Sequence, residues 1–228
     1  MDTETLQPEP LTADQLHKIV ETYSKQMQVN AGLSDDFLDR LINDGDDWSF
    51  VVKGHALLEA AFNQFLVQAL GRPSLSTFIA RMQLGGGRTG KLAMAVAIGG
   101  ITPGTNTFAN RLNEIRNTVV HDVDNTSFSF SSLTKENRNA WLKAATLEGF
   151  VVAQETRDAD VDLKDLIAHA LKAVLCELHL ASLRYYIAHS TQRIALMCNP
   201  KGEAALPIFE LARKGPTDKD SEVMPTWP

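Results

Sequence analysis

The stretch from Trp48 to Leu70 carries apolar side chains around nearly its whole circumference, among them Phe50, Val51, Leu57, Leu58, Phe62, Phe65 and Leu66. A helix that is hydrophobic all round has no face to give to water, so other elements must enclose it. Asp46-Asp47 opens this segment, and Gly71-Arg72-Pro73 closes it, the punctuation expected of one long helix. The chain therefore has to fold around a central helix, and the first question is what surrounds it.

The rest also reads as helix. Thr12 caps a segment running to about Met27, with Leu16, Ile19, Val20 and Tyr23 at helical spacing. Ser34-Asp35-Asp36 caps a short helix carrying Phe37, Leu38, Leu41 and Ile42, which Asp44-Gly45 ends. Shorter helices are expected over about Leu75–Leu84 and Lys91–Ile98, with a break at Gly99–Gly104. Thr105 or Asn106 then caps a helix whose core stripe is Phe108, Leu112, Ile115 and Val119. Asp122–Ser132 reads as an ordered loop or short extended segment, followed by a helix over roughly Lys135–Val152. Beyond the acidic linker Asp158–Asp162, a long helix spans about Leu163–Ala195, and a weak one starts at Pro207 and covers Ile208–Arg213. Alternating β-branched runs and hairpin dipeptides are nearly absent. The expected fold is all-α, a single-domain helical bundle of about seven to nine helices by these start and stop signals. It occupies residues 11–213, between a flexible N-terminus at 1–10 and a disordered C-terminal tail at 214–228 rich in Pro, Asp and Lys.

Composition narrows the function classes. Hydrophobic residues make up 44% and charged residues 22%, ordinary for a globular chain. The formal net charge is −6, whereas a dedicated duplex binder carries a basic balance. Cys176 and Cys198 lie far apart without metal-ligand spacing and read as free, buried thiols in a reducing compartment. The acidic start Met1-Asp2-Thr3-Glu4 lacks the apolar core of a signal peptide. No uninterrupted apolar run approaches the roughly 20 residues of a spanning helix, so a cytoplasmic location without membrane attachment is expected.

Several side-chain groups invite a chemical reading. Gly85–Lys91 matches the first part of a phosphate-binding loop, but Leu92 stands where Ser or Thr would hold magnesium, and helix rather than strand precedes it. A link between two helices explains the glycines equally well. Cys176 and His179 share a helical face, with His169 and His189 further along, yet no third ligand has matching spacing. No metal or other cofactor is expected. Gly-x-Ser-x-Gly does not occur. The pairs Asp35-Asp36 and Asp46-Asp47 sit where helices begin and offset the positive end of the dipole.

Within the apolar central helix, His55, Glu59 and Asn63 form a polar line at i, i+4 and i+8. A Glu buried there needs a cation. Either the line is a surface stripe, or Glu59 turns inward and holds the Arg116 guanidinium in a two-pronged grip.

The most specific constellation is Arg116-Asn117-Thr118-Val119-Val120-His121, followed by Asp122. An Arg binds phosphate and a His moves a proton, the two operations of phosphodiester cleavage without a metal. Asn117 and His121 are four apart and stack on one face. Arg116 and His121 are five apart, about 140° around a helix and about 7.5 Å along it. They converge on one phosphate only if the helix ends or bends near His121, or if a second chain supplies one of them. Asp122-Val123-Asp124-Asn125 looks like a helix end. The negative helix pole and Asp122 would raise the His121 pKa, and Arg116 would lower it. The plainer alternative is two ordinary polar residues beside the Ile115/Val119 stripe.

This motif resembles the signature of the HEPN superfamily: Arg, a polar residue, then His four to six positions after the Arg, within an all-helical domain. The surroundings resemble its mannitol-operon-repressor-type branch. They are Trp48-Ser49-Phe50, the Ala56–Ala60 helix segment, Gly90-Lys91-Leu92-Ala93 running to Gly99, and Leu112–His121 with Asp122 and a downstream Ser-Phe. The resemblance covers about residues 34–150. It implies a HEPN-like helical bundle, dimeric, with the motifs meeting at the dimer interface. Active members are metal-independent ribonucleases of toxin–antitoxin, phage-defence and RNA-processing systems. By that resemblance Arg116 stabilises the charge on phosphorus, His121 is the general acid/base for attack by the RNA 2′-hydroxyl, Asn117 orients, and Glu59 and Asp122 support.

Many relatives have lost cleavage, and the mannitol-repressor branch is described as regulatory, without a recognisable helix-turn-helix; none is found here either. Two expectations follow. One is an RNA-cleaving homodimer, with an antitoxin or regulatory protein as a further partner. The other is a non-catalytic regulatory or interaction protein, acting in transcriptional regulation, in which Arg116 and His121 form a buried structural network.

Overall fold

The structure is a computed structural model describing residues 11–121, 128–145 and 162–198, except the side chains of Asp44 and of 193–198. Among these residues every regular element is a helix, and turns and loops join them. These residues form eight α-helices, with short 3-10 turns between some of them. They are α1 (Ala13–Asn30), α2 (Phe37–Asp44), α3 (Asp47–Leu70), α4 (Ser76–Arg81), α5 (Lys91–Ala97), α6 (Pro103–His121), α7 (Lys135–Ala145) and α8 (Leu163–Cys198). The expected all-α bundle is therefore present. The closing helix at 208–213, both chain ends, residues 158–161 of the acidic linker and residues 146–152 of the seventh expected helix lie outside the described residues, as does Asp122.

The central helix is where its sequence puts it. Phe50, Val51, Leu57, Leu58, Phe62, Phe65 and Leu66 are all buried in one cluster, each contributing about 1.5–3 kcal/mol relative to exposure. The main partner of α3 is α8, and α1 packs on both, chiefly on α8. On its other side α3 receives α5 and α6, while α7 bridges α6 and α8. Trp141 of α7 is buried edge-on against Phe108 of α6, ring centroids 6.0 Å apart. By length and composition Leu163–Gln192 of α8 could cross a membrane, but 67% of its apolar window is buried inside the bundle. That is the burial of a core helix.

Caps and ion pairs fix the ends. Thr12 and Gln15 form a reciprocal capping box on α1, and Asp46 accepts from the Ser49 backbone N–H at 2.7 Å at the start of α3. Lys172 of α8 reaches Glu21 of α1 (2.7 Å) and Asp39 of α2 (2.8 Å), tying three helices at one point.

Several boundaries differ from the sequence reading: α1 runs past its expected end near Met27 to Asn30, and α8 past Ala195 to Cys198. The fourth expected helix, about Leu75–Leu84, resolves into a 3-10 turn at Pro73–Leu75 and a short α4 ending at Arg81. The sixth begins at Pro103, two residues before its expected cap at Thr105 or Asn106. Thr102 caps it instead, its hydroxyl accepting from the Thr105 N–H at 3.2 Å. Proline suits the first helical position because its missing N–H would have no partner there.

Candidate functional site

The site is built on one face of α3 and on α6, with the loop between α4 and α5 closing over them. Leu112 and Val119 of α6 are buried, which fixes the rotation of the helix. Asn113 is then turned toward α3, Arg116 is half-buried, and Asn117 and His121 are exposed. The Arg116 guanidinium donates to Asn117 Oδ1 at 3.1 Å. α6 is helical from Pro103 through His121, so Arg116 and His121 splay by about 140° on one axis. Within one chain the structure therefore brings Arg116 to Asn117 but does not bring Arg116 to His121.

Glu59 has a different cation from the one expected. Its Oε1 lies 2.5 Å from the Lys91 Nζ, so Glu59 does not serve as the clamp on Arg116. Lys91, the first residue of α5, is completely buried, while the Glu59 side chain stays 32% exposed. A fully buried ammonium is tolerated only with a carboxylate or comparable acceptors beside it, and Glu59 provides that carboxylate. The polar line on α3 is thus neither a bare surface stripe nor a support for Arg116.

Lys91 also settles the form of the glycine loop. A phosphate-binding loop needs its Lys free to reach a ligand; here the side chain points into the protein, and the N–H groups of Lys91 and Leu92 donate to the carbonyls of Gln83 and Leu84. The loop folds back so closely that a Cβ on Gly90 would stand 2.4 Å from the Gly86 nitrogen. A Cβ on Gly85 would stand 2.4 Å from Asn113 Nδ2, so this glycine lets the loop lie against α6.

Asn113 in turn holds His55. His55 Nε2 donates to Asn113 Oδ1 at 3.1 Å, and only 6% of the residue is exposed. Burial pushes the His55 pKa below its usual value, opposed by the Asn113 hydrogen bond and the Glu59 charge and reinforced by the Arg116 and Lys91 charges. His55, Glu59, Lys91, Asn113 and Arg116 therefore form one electrostatic neighbourhood beneath the motif.

The other candidates divide cleanly. Cys176 is buried and free, and burial, aided by Glu177, pushes its thiol up to about 11, so it stays protonated. Among the described residues no three His, Cys, Asp or Glu side chains gather as a metal-ligand set. Glu177 caps the start of α6, accepting from the Thr102 N–H at 2.7 Å and from the Thr102 and Thr105 hydroxyls. Sequence reading missed Lys91, Asn113 and Glu177, whose partners are remote in the chain; the one available signal was a Glu in an apolar helix that demanded some cation.

Comparisons with protein-family models, with curated proteins and with solved structures gave no match to this chain.

Proposed function

We propose that this is a HEPN-type helical protein acting as a metal-independent endoribonuclease, its site completed by a second copy of the chain. One observation carries the reading. Asn117 and His121 are solvent-exposed and Arg116 half-exposed at the described end of α6, while Glu59 is committed to Lys91. A motif whose role was purely structural would be packed inside the bundle; this one is open to solvent, which supports a role in contacting a ligand. The resemblance of Arg116-Asn117-(x)3-His121 to the HEPN signature supplies the chemistry.

The splay of Arg116 and His121 on one axis is the reason for the second copy. Across a two-fold axis, the Arg of one chain meets the His of the other. Arg116 then binds the scissile phosphate and stabilises the charge that grows on its oxygens. Asn117, already bonded to the guanidinium, keeps it directed. His121 takes the proton of the 2′-hydroxyl as its oxygen attacks phosphorus. The P–O5′ bond breaks, the leaving oxygen takes the proton that His121 has accepted, and the products are a 2′,3′-cyclic phosphate and a 5′-hydroxyl. With a net charge of −6, bulk electrostatics do not favour RNA, so the phosphate contact made by Arg116 matters more for holding it. Such an enzyme works in the cytoplasm under the control of an antitoxin or regulatory partner.

The test is RNA cleavage in EDTA by wild type, Arg116→Ala and His121→Ala. Wild type is expected to leave cyclic phosphate ends, with each variant silent. Mixing the two silent variants is expected to restore roughly a quarter of wild-type activity, because half the dimers are mixed and each has one intact two-chain site. Failure of wild type to cleave any RNA would remove the enzyme reading and leave the regulatory one.

A further inference from the structure

The glycine loop between α4 and α5, residues 82–90, is tied down at its base. The N–H groups of Lys91 and Leu92 donate to the carbonyls of Gln83 and Leu84, and the buried Lys91 ammonium meets Glu59 of α3. Within the loop Gly87 has a φ of +58°, which glycine adopts without strain, and the Thr89 hydroxyl donates to the Gly86 carbonyl at 3.1 Å. Arg88 is the one charged residue in this frame, and it is exposed. Among the described residues no carboxylate pairs with it.

The register of α6 places this loop against the motif. Asn106, Asn110, Asn113, Asn117 and His121 follow one another at steps of three or four, which keeps them within about 80° of the helix circumference. The loop lies on this line: a Cβ on Gly85 would stand 2.4 Å from Asn113 Nδ2 and 3.8 Å from Asn110 Oδ1. Asn106, Asn110 and Asn113 are half-buried, while Asn117 and His121, further along the same line, are exposed. Asn117 lies one turn, about 6 Å, beyond Asn113, and Arg116 just short of that. The charges of Arg116 and of Lys91, where the loop ends, also both act on His55. The loop is thus a fixed wall beside the N-terminal edge of the motif.

We propose that the RNA strand leaves the cleavage site along this loop, and that Arg88 binds the phosphate next to the one held by Arg116. This rests on the RNA reading of the motif and adds to it the path of the substrate. A guanidinium presents its donors in a fork that matches phosphate oxygens. The loop around it is already ordered, so less freedom is lost on binding than from a slack segment. The carboxylates nearest in register are occupied: Glu59 by Lys91 and Glu114 by Arg111 at 3.0 Å. The arrangement differs from a nucleotide phosphate loop, in which the Lys reaches the ligand. Here the Lys is the buried anchor and the Arg faces outward. Arg88 is a binding residue, since it holds a phosphate at which no bond changes.

The test compares Arg88→Ala, Arg88→Lys and Arg72→Ala in the full chain. Arg72→Ala removes the same charge beyond the far end of α3. Binding of a short single-stranded DNA, which lacks the 2′-hydroxyl and is not cleaved, is followed by fluorescence anisotropy over a range of salt concentrations. Cleavage of the matching RNA gives KM and kcat. Arg88→Ala is expected to weaken binding and raise KM about fivefold at low salt, with a much smaller change in kcat. The slope of log affinity against log salt should fall by about 0.7 for each phosphate contact removed. Arg88→Lys should keep that slope, and Arg72→Ala should match wild type. If Arg88→Ala binds and cleaves as wild type does, or no worse than Arg72→Ala, the proposal is overturned while the RNA reading stands. If wild type neither binds the strand nor cleaves RNA, both fall together.

Discussion

The two sides of α3 handle polarity in opposite ways. Toward α5 and α6, His55 and Glu59 each have a specific partner, Asn113 and Lys91. Toward α1 and α8, Asn63 Oδ1 and His179 Nδ1 are buried, and neither atom has a partner among the described residues. Yet His55, Glu59 and Asn63 belong to one line of residues four apart. Each step of four turns about 40° around a helix, so two steps carry the line about 80° from one neighbour to the next. The difference teaches that a polar stripe on a buried helix need not have one purpose. Where it is satisfied it fixes how helices dock; where it is not, it is a local cost the fold carries.

The strongest way to break this contrast is to remove one member of the satisfied pair. Glu59→Leu leaves the Lys91 ammonium buried and alone, and is expected to lower stability by about 3 kcal/mol, the low end for a broken buried pair because Glu59 is itself part-exposed. The urea midpoint should fall accordingly, and Glu59→Leu with Lys91→Met should recover most of the loss. Asn63→Leu, on the other side, should be neutral or mildly stabilising. Equal losses for Glu59→Leu and Asn63→Leu would end the distinction.

Gly85→Ala probes the same seam more gently. Its new methyl falls 2.4 Å from Asn113 Nδ2, so Asn113 has to leave His55, at about 1–2 kcal/mol for crowding and the lost hydrogen bond. NMR titration of His55 would show the release, as loss of the Asn113 bond removes an influence that holds its pKa up.

The smallest effect expected is on pH dependence. His55 and His179 both have folded pKa values below the ordinary 6.5. As pH falls through that value the unfolded chain takes up its protons first, so the stability held at higher pH declines until the folded values are passed. Urea unfolding between about pH 5 and 8 should show the slope, reduced in His55→Phe and in His179→Phe. A flat profile in wild type would mean that neither ring is kept neutral by burial.

How much of this was legible in the chain depends on the distance over which each feature is decided. The all-round apolar character of α3, the Asp46 cap and the Thr12 box are local, and local rules find them. The start of α6 was misplaced because Pro103-Gly104 reads as a break, while the group that completes its cap, Glu177, comes from α8. Lys91 looked like a loop lysine beside glycines; its burial is decided by Glu59, thirty-two positions earlier. The splay of Arg116 and His121 follows from helix geometry alone, and α6 has that geometry. Whether a second chain closes it is a question about a surface, which helical periodicity does not address.

The pairing of α3 with α8 has a consequence in time. The ribosome releases residues 50–66 about a hundred residues before the 171–178 stretch that covers them. At about 5–20 residues per second, this all-round apolar helix waits roughly 5–20 s for its cover. During that interval the nascent chain, rather than the finished protein, is the form most exposed to aggregation and most in need of a chaperone.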